Sequence, residues 1–169
     1  YEFPDLEDGY DYTVVPSKDM NPLNGVTTYD MVLVRKHVLN TELLDSPYKL
    51  LAADVNNSGA ITTLDLVQMR KLILHIEDNF PNSESWQFVP KDFEFADPNN
   101  PWQAMSVITV NNLEGDITDA DFIGIKKGDV NNSANPNNLL TSDDRNFTDK
   151  TFFDIKDFEI SKGEIFEID

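Results

Sequence analysis

The sequence predicts an α+β chain built from duplicated loop-helix motifs with a short β-strand insert, flanked at both ends by partial β-sandwich strands. Three observations predict it. Asp19 to Leu39 recurs as Asp54 to Leu74 with a shift of 35 residues, and nine of the 21 aligned positions are identical. Between about residues 85 and 110, Trp86, Phe88, Phe93, Phe95, Trp102, Val107 and Val110 are spaced by two more often than by three or four. The outer segments alternate apolar and polar residues around turns at Asp8-Gly9 and Lys162-Gly163.

The helices of the duplicated part announce their starts. Thr27 and Thr62 each precede an aspartate, Asp30 or Asp65, by three residues, which gives an N-cap oxygen and a first-turn carboxylate that complements the helix dipole. Helices are therefore expected to run from these caps to about Asn40 and His75. Ser46-Pro47 marks a third start, with proline at the first helical position, and opens a short helix through Ala53. The aromatic insert is expected to form short strands that pack on the helices. Residues 111–127 carry Gly115, Ile117, Asp121 and Lys126-Lys127 at the relative places of Gly59, Ile61, Asp65 and Arg70-Lys71, and so read as a degenerate third copy.

Composition narrows the chemistry. The 169 residues are 40% hydrophobic, enough to bury a core. Thirty-one acidic against 13 basic residues give a net charge of -18, a field that repels nucleic acids and anionic membranes. The absence of cysteine excludes disulfides and thiolate metal sites, and no apolar run is long enough to insert in a membrane. Catalysis lacks converging groups: His37 and His75 sit among basic neighbours on amphipathic helices, and the acid pair Asp119 and Asp121 has no partner at a defined separation. The chain reads as a non-enzyme.

The polar loops before the helices have the pattern of an EF-hand, which takes oxygen ligands at positions 1, 3, 5, 7, 9 and 12, a sharp turn at 6 and an apolar residue at 8. In the second copy Asp54, Asn56 and Ser58 supply side-chain oxygens, Gly59 the turn, Ala60 a carbonyl, Ile61 the apolar residue, Thr62 a water-bridged contact and Asp65 the last carboxylate. An all-oxygen set suits calcium, whereas zinc or copper would ask for His or Cys. In the first copy Asp19, Asn21, the Gly25 carbonyl, Thr27 and Asp30 keep their places, but position 5 is Leu23, whose carbonyl or a water must substitute. Two calcium ions are expected. Asp129, Asn131 and Ser133 repeat the DVNNS of the second loop without an aspartate at position 12, and so mark a third, partial site. Asn-Asn-Ser at Asn56 and Asn131 also matches a glycosylation sequon, but the loop pattern explains these residues better.

With DVNNSGAITTLDL before Arg70-Lys71, and Asp19 to Asp30 before Arg35-Lys36, the duplicated segment over about residues 17–76 resembles type I dockerins. The resemblance implies two calcium ions and docking of a helix face on a cohesin β-sandwich. It also implies that Thr28, Tyr29, Thr63 and Leu64, with Arg35, Lys36, Arg70 and Lys71, choose the partner. The first residues resemble the end of carboxypeptidase-regulatory-like repeats, and DIKDFEISKGEIFEID resembles the opening of a cohesin-like domain. The wording of the repeats is similar to that of large secreted or surface adhesins of Bacteroidota.

The expected organisation is the end of an upstream β-sandwich over 1–16, a dockerin-like calcium module over 17–80, a β-rich insert with the third copy over 81–135, and a linker with the first strands of a cohesin-like domain over 136–169. The expected setting is a bacterial, exported protein, extracellular or at the cell surface. There the module stiffens the junction between β-sandwich domains of an adhesin or appendage, with adjacent β-sandwich or cohesin-like domains of the same or a neighbouring chain, or further copies in a homo-oligomeric appendage, as partners. The alternative is a true dockerin that carries an enzyme to a cohesin scaffold. In the first reading the aromatic insert, through Trp86, Phe88 and Trp102, is expected to pack on the helices carrying Met31, Val34, Val38, Leu66, Met69 and Ile73, and so to occupy or reshape the face that a cohesin would use.

Overall fold

A computed structural model describes residues 3–137. Strand β1 (Tyr12–Val14) is followed by helices α1 (Thr28–Val38), α2 (Pro47–Ala53) and α3 (Thr63–Ile73), then β2 (Trp86–Pro90), a short 3-10 turn (Pro101–Gln103), β3 (Ile108–Val110) and β4 (Phe122–Lys126). The architecture is α+β, as the periodicities require.

The helix ends form where the capping chemistry puts them. Thr27 and Thr62 each make a reciprocal capping box with the aspartate three residues on, and Ser46 Oγ accepts from the Tyr48 amide ahead of Pro47. Asn40 and His75 take left-handed backbone just past the ends of α1 and α3. The 35-residue repeat extends to the surface: Lys36 pairs with Glu42 and Lys71 with Glu77, each at 2.7 Å.

Helices α1 and α3 pack on each other, and Val34, Met69, Leu72 and Ile73 join Leu51, Ala53, Val55, Phe80, Val89, Ile125 and Val130 in one core. Strand β2 pairs antiparallel with β4, Trp86 opposite Lys126 and Val89 opposite Ile123, and drives Val89 and Ile125 into that core. Phe93, Phe95 and Trp102 pack against it, with Phe95 edge-on to Tyr48 of α2. Gly128 is required here: its φ is +84°, and a β-carbon would meet Val26 Cγ2 at 3.0 Å and Phe80 Cζ at 3.1 Å.

Two features depart from the sequence reading, and a third cannot be compared with it. Residues 3–14 contribute one strand and not a closed hairpin: β1 pairs with β3, Tyr12 opposite Val110, and the Leu113 and Tyr10 backbones extend the contact. The proposed third copy does not become a helix. Phe122, Ile123 and Ile125 favour extended backbone, the segment pairs with β2 as β4, and Lys126-Lys127 lie buried where Arg70-Lys71 are helical. The downstream cohesin-like strands fall on residues 138–169 and lie outside the described residues.

Candidate metal centre

The loop from Asp54 to Asp65 folds as a closed cup of oxygens. Asp54 Oδ1 accepts from the Ser58 amide at 2.9 Å and Oδ2 from the Gly59 amide at 2.8 Å, so its carboxylate is held at the mouth of the turn. Ser58 Oγ donates to the Ala60 carbonyl at 3.0 Å. At the far end Asp65 Oδ1 accepts from the Val55 amide at 3.1 Å, and Oδ2 from the Thr62 amide at 2.8 Å. Gly59, at φ +75°, makes the turn without a β-carbon to strain it. Both carboxylates and Asn56 are buried. Burial, with the nearby Asp54 charge, pushes the Asp65 carboxyl above its ordinary range. A cation between the two would relieve that repulsion.

A second cup of the same construction forms from two distant stretches of chain. Asp129 Oδ1 accepts from the Ser133 amide at 3.1 Å and Oδ2 from the Ala134 amide at 2.7 Å, as Asp54 does from Ser58 and Gly59. Ser133 Oγ donates to the Gly25 carbonyl at 3.1 Å, as Ser58 does to Ala60. Asp30 Oδ1 accepts from the Val130 amide at 3.0 Å, as Asp65 does from Val55. Thr27 caps onto Asp30 as Thr62 does onto Asp65. Asn57 and Asn132 both take left-handed backbone, at φ 53° and 64°. Val55 and Val130 are both fully buried one residue after the first aspartate.

The predicted contiguous first loop is thus not what the structure brings together. Gly25, Thr27 and Asp30 belong to the second cup, but Asp19 does not: its Oδ1 accepts from the Ser85 amide at 2.9 Å and the Ser85 hydroxyl at 2.8 Å, fixing the start of β2. The Asn21 carbonyl accepts from the Asn24 amide and the Leu23 carbonyl from the Val26 amide, two tight turns that lead the chain away. Leu23 has no ligand side chain because its role is to pack on the core.

The donor chemistry fits a hard divalent cation. Among the described residues no three His, Cys, Asp or Glu side chains converge. Each cup brings two carboxylates, leaving amide, hydroxyl and carbonyl oxygens to complete a shell, which is the calcium pattern. Asn131 Oδ1, at the third place of the split cup, is buried without a hydrogen-bond partner, a cost that a cation ligand would remove.

Sequence reasoning missed Lys126 and Lys127. Lys127 Nζ donates to the Leu51 and Asp54 carbonyls and to Asn57 Oδ1, tying the end of α2 to the start of the loop, and Lys126 Nζ donates to the Pro22 carbonyl. Burial lowers the pKa of the Lys126 ammonium to about 7 and that of Lys127 to about 8. His37 is structural: its Nδ1 accepts from the Leu44 amide at 3.1 Å.

The outer face of the helix pair is the second element of the site. Tyr29 and Leu64 are 59% and 53% exposed, Val32 and Val67 48% and 49%, Leu39 and Leu74 58% and 54%. Each pair is one position in the repeat, and Thr28, Thr63, Arg35 and Arg70 are exposed beside them. Trp86 and Trp102 do not cover this face: Trp86 lies on β2 against the Lys18 ammonium, 4.4 Å from the ring centroid, and Trp102 stacks near Gly59. The insert joins the core through Val89, Phe93, Phe95 and Trp102.

Capped helices entered from oxygen-lined loops, duplicated about one core, define a calcium-loop protein-interaction module. Residues 17–74, about a third of the chain, match the family model of the Dockerin type I domain, and this stretch is dockerin-like. Dockerins generally bind calcium, typically bind cohesin partners and are typically extracellular; they are non-catalytic modules. Asp129 to Ala134 lie beyond the matched span. Comparison with curated proteins and with solved structures found no match.

Proposed function

We propose that this region is a calcium-dependent docking module of an extracellular bacterial surface protein, an adhesin or appendage, whose α1/α3 face engages a cohesin-type β-sandwich. The duplicated, exposed stripe of Tyr29, Val32 and Leu39 with Leu64, Val67 and Leu74 carries this reading. Six large apolar side chains left in water at matching positions, flanked by Arg35 and Arg70, have the composition of an interface centre with a basic rim. Calcium is held by Asp54, Asn56, Ser58, the Ala60 carbonyl, Thr62 and Asp65, and presents α3 at a fixed angle. Among the described residues no helix is long and apolar enough to cross a membrane, and no role is assigned to catalysis.

A second reading, a rigid connector between β domains, is favoured by one observation. The chain is tied to the module near both ends of the described region, through β1 with β3 and through Val130 and Asn131 with Asp30.

Binding of a purified cohesin-type domain from the same genome, measured by calorimetry with calcium and with chelator, separates the readings. Docking predicts calcium-dependent binding that the double variant Val32→Asp, Val67→Asp abolishes with its melting temperature unchanged. Absence of binding, or binding indifferent to both substitutions, rejects docking and leaves the connector.

A further inference from the structure

We infer that the module's first calcium site is a composite, with Asp129, Asn131 and Ser133 supplying its first half and the Gly25 carbonyl, Thr27 and Asp30 its second, so that the ion staples together segments about 100 residues apart in sequence. The inference rests on the calcium reading above and goes beyond it in naming the ligands. Four bonds of the continuous cup recur in the split one: amides of the fifth and sixth residues on the first aspartate, the fifth-position hydroxyl on the seventh-position carbonyl, and the second-position amide on the last aspartate. The covalent link between positions 6 and 7 is missing. In its place Asn24 and Asn135 clasp each other across the break, Asn24 Nδ2 donating to the Asn135 carbonyl at 2.8 Å and the Asn135 amide to Asn24 Oδ1 at 3.1 Å. Asn131 Oδ1, buried and without a partner, stands where Asn56 stands in the continuous loop.

The geometry also explains why Leu23 is tolerated at a place where a ligand was expected: residues 19–23 are not part of the cup. They have been displaced by 129–133, and Asp19 holds Ser85 instead. Calcium would then set the direction in which the chain leaves the module after Ala134. Its removal would free that exit while leaving the continuous loop intact.

Calorimetric titration of the full chain with calcium alone, with helix content checked by circular dichroism, tests the assignment. The parent chain is expected to bind two ions. Asp129→Ala is expected to lose one, with affinity at that site down about a hundredfold or more. Asp19→Ala is expected to keep both. Ser133→Ala, at an exposed position that the core does not use, weakens one site by about tenfold and leaves the other. Retention of both ions at parental affinity by Asp129→Ala and Ser133→Ala overturns the composite site. Asp54→Ala keeps the two readings apart. If the parent binds one ion, lost in Asp54→Ala and kept in Asp129→Ala, the composite site alone fails; if the parent binds none, the calcium reading fails with it.

Discussion

Replacing Gly25 by alanine should damage the module in a way that replacing Gly59 should not. The two glycines have nearly the same backbone, φ +76° and +75°, so a β-carbon incurs the same left-handed strain at each, about 1 to 2 kcal/mol. Their surroundings differ. At Gly59 the nearest atom to a new β-carbon is Trp102 Cγ at 3.8 Å, ordinary contact, whereas at Gly25 it would meet the Ala134 nitrogen at 2.6 Å and its Cα at 2.7 Å. That neighbour is backbone, and it is held by the Ala134 amide bond to Asp129 Oδ2 and by Ser133 Oγ on the Gly25 carbonyl. Relieving the clash breaks one or both, at about 0.5 to 1.5 kcal/mol each. Gly25→Ala should therefore be less stable than Gly59→Ala by about 1 to 3 kcal/mol, a further fall in melting temperature of roughly 3 to 10 °C for a domain of this size. Differential scanning calorimetry with saturating calcium reads the difference. Equal melting temperatures for the two variants would show that the 129–134 segment does not press on Gly25 in solution, and the reasoning would fall.

Chelation should lower the melting temperature. With calcium at about ten times a Kd near 10⁻⁴ M, each site adds about 1.4 kcal/mol, so two sites give roughly 6 to 12 °C; a midpoint unmoved by chelator would contradict this. Burial lowers the affinity of His37 for its proton in the folded state. Stability from this group is then fully present above the ordinary pKa of 6.5 and lost as pH falls toward the lower folded value, because protonation removes the acceptor for Leu44. His37→Gln should flatten that part of a urea-stability profile between pH 7 and 5, and an unaltered profile would exclude the role. Met69→Ala, at a fully buried position, should cost about 2 to 5 kcal/mol by urea denaturation; a cost below about 1 kcal/mol would mean that the helix interface is loosely packed.

The parts legible in the sequence were those whose chemistry is local. Helix starts at Thr27, Ser46 and Thr62 are written in the cap and the residue three places on, and the structure places α1, α2 and α3 on those caps. The oxygens from Asp54 to Asp65 are contiguous, so their pattern survives translation into a string. The split cup was illegible because its halves are separated by the whole module. DVNNS at Asp129 was visible as a motif, but nothing in the string pairs it with Asp30 rather than leaving it incomplete. Asp19 misled for the complementary reason: an Asx-rich turn that bonds Ser85 has the same residues as one that binds a metal. Lys126 and Lys127 read as the basic pair of a third copy, at the places of Arg70-Lys71, because their burial rests on the Pro22, Leu51 and Asp54 carbonyls, which come from residues more than 70 positions away. The insert was expected on the helices of Met31, Val34, Val38, Leu66, Met69 and Ile73, and Phe93, Phe95 and Trp102 do join the core that those residues build, but Tyr29, Val32, Leu64 and Val67 stay exposed on the other side of the helices.

The most direct test of the account is a crystal structure of the full chain grown with calcium, with the ions located by their anomalous scattering. The account predicts two peaks, one between Asp54 and Asp65 with Ser58 and the Ala60 carbonyl beside it, the other between Asp129 and Asp30 with Asn131 Oδ1 as a ligand. A peak coordinated by Asp19 and Asn21, or density at Asp54 with none at Asp129, would contradict it.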